Sequence, residues 1–140
     1  MSRKIEDLNP VVQDLCKRFV AGCKEADIDV TITFTYRTFD EQNQLYAKGR
    51  TEPGNVVTNA KGGYSYHNYH LAFDCVPVVN NIAVWDNETL WHAIGQIGID
   101  LGLEWGGTWE RLEDKPHFQY TFGLSIAQLL NGAEIPQNLT

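Results

Sequence analysis

A chain of 140 residues, 43% hydrophobic and 21% charged, fits one domain that buries roughly two thirds of the surface its unfolded form exposes. No apolar run is long enough to cross a bilayer, and a net charge of −7 argues against a general nucleic-acid binder, because neutralising phosphates takes clustered Lys and Arg that are absent here. The N-terminal MSRKIEDLNP lacks the apolar stretch of a secretory signal, so synthesis in the cytoplasm without a signal peptide is expected.

Asn9 and Pro10 supply an N-cap and a first-turn proline. Val12, Leu15, Cys16, Phe19, Cys23 and Ala26 then recur at helical spacing, which predicts a helix over 10–26. Cys16 and Cys23 lie seven apart on it, about 10 Å along the axis and too far to bridge; with Cys75 they are read as three free thiols. DVTITFTY, residues 29–36, alternates Val30, Ile32, Phe34 and Tyr36 with threonines and predicts a strand with one apolar face. Asp40 is a plausible cap for a short second helix, EQNQLYAKGR, that stops near Gly49. A long loop over 51–66, holding Pro53, Gly54, Gly62 and Gly63, is tolerated in a small domain mainly where it works.

LAFDCVPVV, residues 71–79, reads as a central strand. Asn80-Asn81 turns it into a hairpin partner, IAVW, and Pro77 implies an edge or bulge. Asp86 or Asn87 caps a third helix whose Leu90, Trp91, Ile94, Ile97, Ile99 and Leu101 can cover the sheet, with Gly95, Gly98 and Gly102 permitting close contact. EWGGTWERLEDKPHFQY follows as loop and strand, and GLSIAQLL as a last helix. This order predicts an α+β fold, a central antiparallel sheet flanked by helices. The core is expected over about 8–131, with 132–140 a flexible tail. Trp85, Trp91 and Trp105 are assigned to the core, and His92 to an exposed or structural position.

The chemistry concentrates in SYHNYHLAFD, residues 65–74. Residues two apart share a strand face, so Asp74 points with Ala72, away from Phe73 and Cys75. An unpaired buried carboxylate there would cost several kcal/mol, so it needs a cation, donors or a metal. His67 can fold back toward it, and far downstream EDKPHFQY offers His117. Alone, His67 and Asp74 would more often form a structural pair. With His117 they make two imidazoles and one carboxylate, a catalytic zinc set that leaves a place for water. Asp114 stands three residues before His117 as a proton acceptor beside the metal, and Arg37 can hold an oxyanion or a substrate carboxylate.

Four ordered motifs carry a resemblance: Ser65-x-His67-x6-Asp74, Asp114-Lys-Pro-His117-Phe, YRTFDEQNQLYAKGRT and EWGG. Over residues 8–122 the chain closely resembles the zinc L-alanyl-D-glutamate peptidases of phage endolysins, relatives of the D-alanyl-D-alanine carboxypeptidases. The resemblance implies the small α+β fold shared with the hedgehog signalling domain, one zinc ion per chain, and hydrolysis of the peptidoglycan stem peptide; a monomer with no nucleic-acid or membrane partner is expected. It implies His67, Asp74 and His117 as metal ligands, Asp114 as catalytic base, and Arg37 and Ser65 as substrate contacts; Trp109 is a candidate aromatic wall. His70 stands where the family pattern usually has glycine, implying a positive φ; it is read as solvent-facing, with a rim or extra-ligand role as the alternative. Only 18 residues follow Phe122, so no wall-anchoring domain is expected, which suits lysis of a thin wall from within. The rival readings are a D-Ala-D-Ala carboxypeptidase, a bacterial wall-remodelling peptidase and a non-catalytic zinc-dependent binding module; Asp114 argues against the last.

Overall fold

A computed structural model describes residues 1–138. Helix α1 spans Pro10–Glu25, and the Asn9 side chain accepts from the Val11 and Val12 amides at its start. Strand β1 spans Asp29–Phe34, helix α2 Phe39–Ala47, and a 3-10 turn covers Tyr66–Tyr69. There follow β2 (Ala72–Val79), β3 (Ile82–Ala83), α3 (Glu88–Asp100), β4 (Glu104–Trp105), β5 (His117–Gln119) and α4 (Ile126–Leu130). The sheet is antiparallel in the order β1-β2-β5-β4, with β3 pairing the far end of β2. This is the α+β arrangement the element order predicts. No helix among the described residues is long and apolar enough to cross a membrane.

The sheet has two chemically different faces because side chains alternate along each strand. Phe73 lies opposite Phe118, and Ile32 opposite Cys75; this face packs on Phe19 of α1, whose ring centroid is 4.6 Å from that of Phe118. Asp74 lies opposite His117, one residue out of phase, so both belong to the other face. Cys16, Cys23 and Cys75 are buried and free. Their thiols are pushed up by burial, Cys16 and Cys23 to about 12, so at neutral pH they act as small apolar groups.

Several elements differ from expectation for local physical reasons. The alternation expected to run to Tyr36 breaks at a bulge between Ile32 and Phe34, which sets Phe34 opposite Asp74 and ends β1 early. Helix α2 is capped by Thr38, not Asp40: the Thr38 hydroxyl accepts from the Glu41 amide and the Glu41 carboxylate accepts from the Thr38 amide, a reciprocal box that satisfies two end groups. Pro77 sits inside the central strand. The Cys75 amide donates to the Pro116 carbonyl and the Val84 amide to the Pro77 carbonyl, so the nitrogen of Pro77 faces the gap between the start of β5 and the end of β3, where no ladder bond is lost. Asn80 and Asn81 both take positive φ, as a tight two-residue hairpin requires. Trp91 is buried, but Trp85 is 57% exposed; its carbonyl accepts from the Trp91 indole and its ring lies 6.3 Å from that of Trp91. Ile99 is also exposed, and Gly102 ends α3 at φ 94 with open space around it. In the segment expected to be a flexible tail, Ile135 packs on the core and the Pro136 carbonyl accepts from the Asn9 amide group; residues 139–140 lie outside the described residues.

Helix α3 reaches the sheet through Gly95, where a Cβ would come within 2.4 Å of the buried Trp105 ring. Gly95→Ala is therefore expected to lose more by overpacking than it gains in helix propensity, with a net loss of about 1–2 kcal/mol, measured by urea unfolding of the two chains.

Candidate metal centre

Three segments distant in sequence meet on the polar face of the sheet. His67 comes from the 3-10 turn that Ser65 caps, Asp74 from β2 and His117 from β5. Asp74 Oδ1 lies 3.1 Å from His67 Nε2 and 3.3 Å from His117 Nδ1, and the three donor atoms are all within 4.8 Å of one another. Ligands about 2.0–2.2 Å from a tetrahedral ion stand roughly 3.3–3.6 Å apart, so the two separations from Asp74 lie near those such an ion would set.

The hydrogen bonds behind the two rings decide what faces inward. His67 Nδ1 is 2.7 Å from the Thr35 carbonyl, which can only accept, so the proton sits on Nδ1 and Nε2 turns a lone pair toward Asp74. His117 Nε2 is 2.7 Å from Gln119 Oε1, which again leaves the near nitrogen, Nδ1, as a lone pair. Two neutral imidazoles would thus present lone pairs to a carboxylate, an arrangement that calls for a proton or a metal cation between them. Burial alone would raise the Asp74 carboxyl, but the charges and hydrogen bonds of His67 and His117 outweigh it and hold the group well below the usual carboxylate range. Burial would lower His117, yet Asp74, reinforced by Asp114 and Gln119, raises it above the ordinary imidazole value.

Asp114 stands outside this donor group. Its carboxylate is 4.0 Å from His117 Nδ1 and about half exposed, and partial burial lifts its pKa, opposed by His117 and reinforced by Asp74. Gly106 permits this placement: the Asp114 amide donates to the Gly106 carbonyl, and a Cβ on Gly106 would fall 2.2 Å from the Asp114 carbonyl oxygen. The Trp109 ring lies 5.4 Å from that of His117.

Asp74, His67 and His117 form the floor of a cleft of about 860 Å³, with Arg37, Ser65, Trp109 and Asp114 around them. Arg37 is buried, packs over Phe34 at 5.6 Å and donates to Gln42 Oε1 at 3.0 Å; burial lowers its pKa, opposed by Asp74, Glu41 and Asp114. The Ser65 hydroxyl accepts from the His67 amide, so its structural part is to fix the turn that carries His67. His70 takes φ 64, stacks on Tyr36 at 3.8 Å and places Nδ1 2.6 Å from the Asp7 carbonyl; it is exposed and outside the donor group.

Gln42 and Gln119 are the residues that sequence reasoning missed. Gln42 is fully buried and holds both Arg37 and the Ala60 carbonyl of the cleft wall. Gln119 could have been found, since it lies two residues beyond His117 in a strand and therefore shares its face.

Known proteins supply independent comparisons. Residues 58–120 match a family described as D-alanyl-D-alanine carboxypeptidase. The peptidoglycan L-alanyl-D-glutamate endopeptidase CwlK of Bacillus subtilis is 41% identical over 122 residues, covering 81% of this chain and 73% of CwlK. The solved Serratia marcescens L-Ala D-Glu endopeptidase ChiX is similar at a TM-score of 0.60 and 24% identity, over 86% of this chain and 88% of that one. A vancomycin resistance D,D-pentapeptidase, VanY, in complex with Zn(II), is similar at 0.62 and 12% identity, over 89% and 84% of the two chains. The two structural likenesses speak for the fold.

Because His117 holds its proton more tightly than an ordinary imidazole in the metal-free chain, zinc uptake near neutral pH is expected to displace that proton. Protonation should weaken zinc binding progressively as pH falls through the raised His117 pKa, from a higher pH than an unperturbed histidine would give. Titration calorimetry in buffers of different ionisation enthalpy reads the released proton; a binding heat that does not depend on the buffer would argue against His117 as a ligand.

Proposed function

The chain belongs to the D-alanyl-D-alanine carboxypeptidase family of metallopeptidases, and we propose that it is a zinc-dependent endopeptidase hydrolysing the L-Ala–D-Glu bond of the peptidoglycan stem peptide. The observation that carries this reading is the convergence of two imidazole lone pairs and the Asp74 carboxylate on the floor of an open cleft, with Asp114 beside them but outside the donor group. A purely structural site would use all its ligands and would not need a half-exposed carboxylate at its margin. The choice of bond is supported by the 41% identity to CwlK.

In this reading His67, Asp74 and His117 hold one zinc ion, which when bound acidifies water and polarises the scissile carbonyl. Asp114 takes the proton of the attacking water and passes it to the departing nitrogen of D-Glu. Its pKa, raised by partial burial, favours the first of these transfers, because a carboxylate of higher pKa is the stronger base toward the water proton. Arg37, oriented by Gln42 and desolvated over Phe34, binds developing negative charge or a stem-peptide carboxylate. Ser65 and Trp109 line the substrate's path. The active unit is a monomer that acts on the wall as a phage endolysin for host-cell lysis. A wall-remodelling role is the second reading, because CwlK is a Bacillus protein.

Asp114→Ala is expected to keep its zinc, measured by metal analysis of the purified chain, while turnover of purified peptidoglycan falls at least about a hundredfold. His67→Ala should lose both. Mass spectrometry of the digest should find free amino groups on D-Glu; release of D-Ala alone would identify a carboxypeptidase and overturn the assigned bond.

A further inference from the structure

The bond between His117 and Gln119 determines the tautomer of a metal ligand only if the Gln119 amide is itself prevented from turning over. Turned over, it would present its NH2 to His117 Nε2, place the imidazole proton on Nδ1 and aim that proton at Asp74. The group that prevents this lies on the next strand. Glu104 is directly opposite Gln119 in the β4–β5 pair, and Gln119 Nε2 donates to Glu104 Oε2 at 2.8 Å. A carboxylate oxygen accepts, so the amide NH2 is drawn toward β4 and Oε1 is left for His117. Glu104 is exposed on the edge strand, a position where a solvent-facing side chain has little packing reason to be charged in one sense or the other.

Strand β4 itself is held with unusual firmness for two residues. Trp105 is buried against Gly95, its indole donates to the Lys115 carbonyl at 2.7 Å, and its ring stacks near Phe118. The tryptophan thereby fixes the register that puts Glu104 opposite Gln119.

We propose that Glu104 is a positioning residue for the metal centre: acting through Gln119, it holds His117 in the tautomer whose Nδ1 is free to bind the ion. Glu104 lies two hydrogen bonds from the proposed ligand and touches neither metal nor substrate. The inference rests on the zinc reading above, and it specifies how the ligand is prepared.

Reversing the polarity of the relay tests it. Glu104→Lys replaces the acceptor by a donor, so Gln119 turns its oxygen toward β4 and its NH2 toward His117. Long-range proton–nitrogen correlation spectra of the full chain without metal, recorded above the imidazole titration range, report which ring nitrogen of His117 carries the proton. The parent should carry it on Nε2 and Glu104→Lys on Nδ1. Zinc affinity, read by competition with a chromogenic chelator, should fall about 10- to 100-fold. The double variant Glu104→Lys with Gln119→Glu restores an acceptor beside His117 and a donor beyond it, and should recover both the Nε2 proton and most of the affinity. An unchanged tautomer and affinity in Glu104→Lys would overturn the proposal, as would a loss that the double variant does not repair. Should the parent bind no zinc, the metal reading falls; the tautomer spectra still decide whether Glu104 acts through the amide.

Discussion

Two imidazole rings are compelled to turn unprotonated nitrogens toward one carboxylate, and much of the local structure follows from that confrontation. Neither ring can escape by changing tautomer, because the far nitrogen of His67 already donates to the Thr35 carbonyl and that of His117 to the Gln119 amide oxygen. In the metal-free chain a proton relieves the opposition, which is why His117 holds one beyond the ordinary range. A cation would relieve it better, since it satisfies all the lone pairs at once.

The scaffold sustains this tension through register. Asp74 and His117 are direct partners across β2 and β5, so the ladder that joins the strands also fixes their separation. One residue away along each strand, Phe73 and Phe118 stack on the apolar face with Phe19. A slip of one position would send the carboxylate into the hydrophobic core and the phenylalanines into the cleft. Burial of the core face and assembly of the polar face are therefore the same event. The bulge in β1 extends the arrangement by turning Phe34 toward Asp74, where it supports the Arg37 guanidinium.

The cleft walls are secured differently, by polar side chains reaching from α2 and the turn that follows it into a segment that has little regular structure. Gln42 holds the Ala60 carbonyl, and Arg50 holds the Tyr46 and Thr58 carbonyls and the Asn59 amide oxygen. Asn68 draws Gly63 and Ser65 to the turn that bears His67 while donating to the Arg37 carbonyl. The proposed ligand turn and the proposed substrate-binding arginine are thus tied by one buried amide.

By itself the sequence determined the sheet and helix elements to within a few residues, the pairing of His67 with Asp74 and His117, and the separate station of Asp114. These follow from periodicity, from residue chemistry and from a motif order close to that of a known family, all of which are local or can be compared along the chain. It misplaced the cap of α2, the alternation after Ile32 and the burial of Trp85, because a reciprocal cap, a bulge and the depth of a hairpin tip depend on which partners arrive from elsewhere. Only the tertiary structure decided the tautomers of the two histidines and the parts of Gln42, Gln119 and Glu104. A glutamine has no chemical signature along a chain; which way its amide faces is set by the neighbours on either side, and those neighbours meet only when strands separated by many residues come into register.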